Sequence, residues 1–461
     1  MKEKKPGINP VFEKNIRLIR KLLLNNDLSS LNFFDYENID EMIDYCEERG
    51  RHRDSLSLIQ AAITNDKLNS DLLTKKGVIL MNLKKFKFAI TIFTKALKIN
   101  KNSIDALLNK ALCLSRMGFH RRAYMYISKA MILEPDNSEL VFTKGIILSN
   151  AKKPFTAIKV FETLLSDLDF QKDASIEIAY CYHHSFRLDK AIEFYERAIS
   201  IDPFDFNAWL NKSTVYLDLN QLNNSLECLD FCTSIRSNHF LAWHNKGIVY
   251  AKLGKLGESV ESFKNALEIN KLDVDTVYNI ASVYGDMGKY NEAIEFFSAA
   301  IKLEPRHQMA YYGRAVCLDA LEKYEMALKD YDNALRINQK TYDIWLAKAE
   351  CLYNDSKITE AIKCYKQALE IEPSNVLGLL DYGLTELEIN NINDAKSAFT
   401  KITELAPSWA DGYISLAKVH ILEKNFDTAR ELIQKAIKLD PLHDIQLLMS
   451  EIEGIDLNDS K

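Results

Sequence analysis

Between residues 274 and 307, VDTVYNIASVYGDMGKYNEAIEFFSAAIKLEPRH, apolar side chains fall at helical spacing in two runs, parted by a glycine turn and closed by a proline. That layout specifies helix, turn, helix, stop. It recurs with hardly a gap from residue 36 to residue 443, dividing the span into twelve units of 34 residues. With slots numbered from one in each unit, slot twenty reads Ser55, Ala89, Ala123, Ala157, Ala191, Ser225, Ser259, Ala293, Ala327, Ala361, Ala395 and Ala429. Slot eight is Gly, Ala or Ser from Gly77 to Ala417 and departs only in the first unit, at Ile43. Slot twenty-four is large, as in Phe93, Phe161, Tyr195, Phe263, Phe297, Tyr331, Tyr365 and Phe399, and slot thirty-two is Pro135, Pro203, Pro305, Pro373, Pro407 and Pro441. Small residues let two helices cross closely, and a large one fills the hole they leave.

A unit of this size buries its apolar stripe only by stacking on its neighbours, so the pattern predicts an all-α solenoid, counted as one long domain. Acidic or amide residues near the start of the first helix, among them Asp71, Asp105, Glu139, Asp173, Asn207, Asp275, Asp343 and Asp411, suit its positive end and can cap open amides. Gly50, Gly118, Gly254 and Gly288 accept a left-handed helix end, with Asn220 and Asn390 in the same slot elsewhere. The turn slot and slot eight together take eight of the fifteen glycines, which leaves little from which to build a phosphate loop.

A 34-residue helix-turn-helix unit with this pattern resembles the tetratricopeptide repeat family. Unit 240–273 shows the family pattern most openly, in Trp243, Gly247, Tyr250, Gly254, Phe263 and Ala266. The resemblance implies a right-handed superhelix of about twelve repeats spanning 36–443, with a degenerate first repeat at 36–69 that suits a cap. Residues 1–35 are expected to hold a polar tail and an amphipathic capping helix, with Phe12, Ile16, Ile19 and Leu23 on one face and Lys14, Arg17, Arg20 and Lys21 mostly elsewhere. Residues 444–461 are expected to hold a C-terminal capping helix and a polar end.

Charge and chemistry narrow the function. A net charge of −6 and a pI near 5.9 give no electrostatic case for a nucleic-acid or anionic-membrane partner. No apolar run reaches the length of a secretory core or a membrane span. The scattered cysteines fit a cytoplasmic protein: Cys113, Cys181, Cys317 and Cys351 share slot ten, and Cys232 falls where nine other units carry alanine. Cys228 and Cys232 lack nearby histidines, and His183 with His184 would need further ligands from adjacent units, so neither pair is expected to bind metal. No catalytic fingerprint and no cofactor motif stands outside the repeats, and an enzyme is not expected.

In the family, the first helix lines the concave face and binds peptides or partner helices through slots two, five, six, nine, twelve and thirteen. The clamp for Hsp70 and Hsp90 tails needs a cation at slot five, and no unit has Lys or Arg there. Slot six instead carries Asn211, Asn245 and Asn279 in consecutive units, with Asn109 earlier, and an amide can pair with both main-chain groups of a ligand. Slot five is apolar or aromatic, including Leu210, His244, Tyr278, Tyr312 and Leu346. Either these side chains form an open apolar channel for a peptide or amphipathic helix, or they pack between first helices and are already covered. The expected function is a protein-interaction scaffold. Alternatives are an arm that presents substrates to a separate enzyme and an RNA-processing repeat protein, the latter requiring a basic concave stripe.

Overall fold

The computed structural model describes residues 10–24, 36–66 and 68–440. Pro441 and the helix expected within 444–461 lie outside the described residues, as do the polar start and the side chain of Leu23. Among the described residues the regular structure is entirely helical: Pro10–Leu24, then helices in pairs from Tyr36–Glu47 with His52–Asn65 to Ala410–Leu422 with Phe426–Leu439. Each first helix packs most extensively on the second helix of its own pair, and within each compact unit each second helix then meets the first helix that follows. The chain forms two compact units, Met1–Arg236 and Ser237–Lys461.

In the first unit, Pro10–Leu24 lies on His52–Asn65. Ile16 and Ile19 are fully buried among Ile39, Met42 and Leu58, and the Phe12 ring meets Tyr45 edge-on at 5.6 Å. Arg20 pairs with Asp54 at 2.9 Å and Glu13 pairs with Arg51. Phe12, Ile16 and Ile19 of this helix are therefore covered by the first hairpin.

The close crossing inside each hairpin follows from the small slots. Slot twenty is 0–1% exposed in every hairpin. A methyl group added at Gly77, Gly145, Gly247 or Gly383 would run into the ring of Phe93, Phe161, Phe263 or Phe399 respectively. Where slot eight is instead Ala179, Ala315 or Ala349, slot twenty-four is Tyr195, Tyr331 or Tyr365. Ser225 and Ser259 tighten two crossings by donating to the carbonyls of Ser213 and Gly247, each at 2.8 Å.

Turns and caps differ in detail from the sequence expectation. Every hairpin turn has a left-handed residue, and eight of the twelve are not glycine: Lys84, Lys152, Phe186, Asn220, Glu322, Ser356, Asn390 and Lys424, with φ between 56° and 64°. One hydrogen bond recurs at each of them, running from the amide after the left-handed residue to a carbonyl five residues back, as in Lys85 to Leu80 and Lys323 to Leu318. Seven first helices are capped by side chains just before them, Asn69, Ser103, Asn137, Asp205, Asp273, His307 and Asn375, and not by the acidic or amide residues two places later. The side-chain oxygen or nitrogen at the extended N-cap residue reaches open amides that a side chain already inside the helix cannot. Trp209, Trp243 and Trp345 anchor the entry to their helices by donating to the carbonyls of Pro203, Ser237 and Gln339.

Candidate functional site

The slots expected to face a ligand are lined up by the stacking, but slot five is only partly open. In the second unit His244 packs against Phe263 at 5.6 Å and sets its Nδ1 2.8 Å from the Thr276 hydroxyl. Tyr278 lies 5.7 Å from Phe297 and stacks on His307 at 5.0 Å, while Tyr312 rests on Tyr331 at 6.2 Å. Leu346 packs on the cluster of Ala349, Leu352 and Tyr365. All four are half-buried, as is Leu210 in the first unit. The row is a seam between neighbouring helices whose outer edge stays accessible, intermediate between the open channel and the sealed core. Burial lowers the tendency of His244 to protonate, against the pull of Asp273 and Asp275, so a neutral ring fits that seam.

Slot nine is more open, with Tyr180 in the first unit and Val316 and Leu384 in the second each at least 40% exposed. Isolated apolar side chains this exposed are ordinary.

The asparagines divide into two kinds. Asn109 donates its amide to the Asp105 carbonyl at 2.9 Å within its own helix, and borders a cavity of about 230 Å³ with Thr74, Lys75 and Val78. Asn211 in the first unit, and Asn245 and Asn279 in the second, are half-buried and make no side-chain hydrogen bond among the described residues. Their donors and acceptors are available to a guest.

Other sequence candidates are absorbed by the protein. His183 meets Asp218 at 2.6 Å, and the tilted ring of His184 packs against Tyr180 at 4.0 Å. All eight cysteines are buried and free, and burial pushes the Cys232 thiol up to about 12, away from the reactive thiolate. Among the described residues no helix is long and apolar enough to cross a membrane.

One feature of the inner face escapes a step of 34. Asp319, Glu350 and Asp381 occupy slots twelve, nine and six of consecutive hairpins, 31 residues apart, and so run diagonally across three first helices. A second cavity, about 430 Å³, is bordered by Glu350, Tyr353, Tyr365, Asp381 and Leu384. Burial, then the charges of Asp381 and Asp319, raise the Glu350 carboxyl, and burial raises Asp381. A search at the repeat period passes over a line that loses one helical turn per repeat, although a step of 31 would have found it.

The paired helices, small crossing slots and accessible first-helix faces define an all-helical repeat protein. Models of the tetratricopeptide repeat match residues 70–103, 173–205, 194–227, 241–271, 278–339, 318–376 and 410–441. The chain belongs to the tetratricopeptide repeat family, a family of protein-interaction scaffolds.

Among solved structures, the chain is similar to YrrB, described as a TPR protein with an unusual peptide-binding site, with 24% identity over 42% of this chain and 99% of that one and a TM-score of 0.37. It is also similar to MamA, with 21% identity over 35% and 95% of the two chains and a TM-score of 0.35. MamA 41-end from Desulfovibrio magneticus RS-1 shows 20% identity over 37% and 96%, with a TM-score of 0.35. No curated protein matches the chain.

Proposed function

We propose that the chain binds a peptide or amphipathic helix of a partner protein along the inner face of its first helices. The observation that carries this reading is the pairing, in the second unit, of a half-buried aromatic seam with two free amides. His244 and Tyr278 occupy slot five directly before Asn245 and Asn279, which lack partners of their own. The seam supplies apolar surface worth about 25 cal/mol per Å² when covered, and the amides orient a main chain without reading its side chains. In the first unit Leu210 and Asn211 repeat the same juxtaposition. The proposed organisation is twelve repeats over 36–443, with Pro10–Leu24 closing one end. A cytoplasmic setting fits the free cysteines.

Asn245→Ala together with Asn279→Ala is expected to weaken binding of a neutral, leucine-rich amphipathic peptide by about fivefold, at roughly 1 kcal/mol for the net worth of the lost hydrogen bonds. Helical signal and melting temperature should hardly move, because neither amide bonds within the fold. Titration calorimetry on the full chain checks the first point and circular dichroism the second. Equal affinity in the double variant would remove the amides from the account.

A further inference from the structure

We infer that the inner face of hairpins 308–409, in the second unit, takes a cationic stretch of a partner polypeptide, with Lys or Arg side chains meeting Asp319, Glu350 and Asp381. This deepens the groove reading above and rests on it.

The six ligand-facing slots in those three hairpins carry Asp319, Asp343, Glu350, Asp381 and Glu388 and not one Lys, Arg or His. Several cations of the same hairpins serve carboxylates elsewhere. Arg314 holds Asp330 at 2.6 Å, Lys348 holds Asp332 at 2.6 Å, and Lys366 reaches Glu386 at 3.2 Å. No ion pair with a protein cation forms at Asp319, Glu350 or Asp381 among the described residues. Like charges held together without a counter-charge cost stability, and a guest that brings the missing charge recovers it.

A second, independent observation points the same way. Tyr331 is 1% exposed, its hydroxyl makes no hydrogen bond among the described residues, and the ionisable groups around it are Asp319, Cys351, Tyr312 and Glu350. The hydroxyl of this buried ring has no protein partner among the described residues, and an ammonium or guanidinium bound beside Asp319 and Glu350 would supply one, since the phenol oxygen accepts from a cationic N–H. Oδ1 of Asp319 is likewise shut from water with no donor in hydrogen-bond geometry, although Asn354 and the Cys351 thiol lie beside the same carboxylate.

The spacing decides what kind of cation fits. Among the described residues no three His, Cys, Asp or Glu side chains converge enough to hold a metal ion. The carboxylates are instead distributed one per first helix, so a chain bearing several charges matches them where a point ion does not. Packed helices stand about 8–10 Å apart and an extended chain rises about 3.3 Å per residue, which puts the matching Lys or Arg residues about three apart. A polyanion, nucleic acid included, meets like charge along the whole diagonal.

The test is fluorescence anisotropy on the full chain at low salt with three labelled, end-blocked peptides: one with lysine at every third position among Ser and Gly, its glutamate counterpart, and the neutral leucine-rich peptide used above. The lysine peptide should bind, lose affinity as salt is added, and bind Asp319→Asn/Glu350→Gln/Asp381→Asn at least about tenfold more weakly. The neutral peptide should bind that variant as well as it binds the parent, and the glutamate peptide should bind neither. Glu350→Gln alone should show a smaller loss in the same direction, which keeps the test open should the triple variant fail to fold. Equal affinity of the lysine peptide for parent and variants overturns the assignment, as does equal binding of lysine and glutamate peptides. If the neutral peptide binds and the lysine peptide does not, the cationic assignment falls while the groove stands; if neither binds, both fall.

Discussion

Phe263→Ala is expected to cost about 3–5 kcal/mol, read as a fall in the urea midpoint followed by tryptophan fluorescence. The ring is 1% exposed and sits where Gly247 has no side chain, so close that an added Cβ would lie 2.6 Å from it. Deleting it leaves a hole bordered by helix backbone, and the Ser259 to Gly247 hydrogen bond holds that backbone in place. Collapse is therefore limited, which puts the cost towards the high end of large-to-small substitutions. Gly247→Ala in the Phe263→Ala background should recover part of the loss, although in the parent chain the same methyl group overlaps the ring. An unmoved midpoint for Phe263→Ala would show that slots eight and twenty-four do not define the crossing.

The second large effect is electrostatic, in the first unit. Burial, followed by the nearby charge of Asp173, raises the Glu177 carboxyl to about 7 from its ordinary 4.5. A carboxyl whose folded value lies above its unfolded value binds more protons folded than unfolded. Stability is then highest below about pH 4.5, falls as pH rises through the window between 4.5 and 7, and stays lowered above it. The penalty above neutrality is about 2 kcal/mol once partial exposure is allowed for. Glu177→Gln should remove it, stabilising the protein by up to that amount at pH 8 and by almost nothing at pH 4.5. Urea midpoints of both proteins across that range provide the measurement; a difference independent of pH would mean that the carboxyl titrates normally.

Much of the fold was legible because one spacing governs it. A small residue every 34 positions, from Ser55 to Ala429, can hardly arise without repeated close crossings, and all twelve positions are buried. The turns were legible only where glycine or asparagine marked them. Nothing about Phe186 or Glu322 as a residue type announces a left-handed backbone, because there the recurrent turn hydrogen bond and the packing of both helices decide the conformation. The caps sit two places before the charged residues, at Asn69 and not Asp71, since charge preference and side-chain reach favour neighbouring positions.

The site was less legible than the fold. Slot six could be picked out from Asn211, Asn245 and Asn279, but only coordinates separate their free amides from that of Asn109, which bonds to its own helix. Alternation of apolar residues cannot tell a seam from a channel, so the half-covered state of Tyr278 and Tyr312 had to come from their ring contacts. The diagonal of Asp319, Glu350 and Asp381 was invisible for a geometric reason: groove neighbours in adjacent hairpins need not share a slot.

Eight of the twelve turn residues carry a Cβ that resists the left-handed conformation, at a cost of about 1 kcal/mol apiece. A solitary hairpin has little with which to oppose that resistance, so the bend is borrowed from the helices stacked on either side. Cooperativity in this array thus reaches down to individual backbone angles. Trimming hairpins from an end would do more than shorten the molecule, because it withdraws support from a bend in the hairpin newly left outermost.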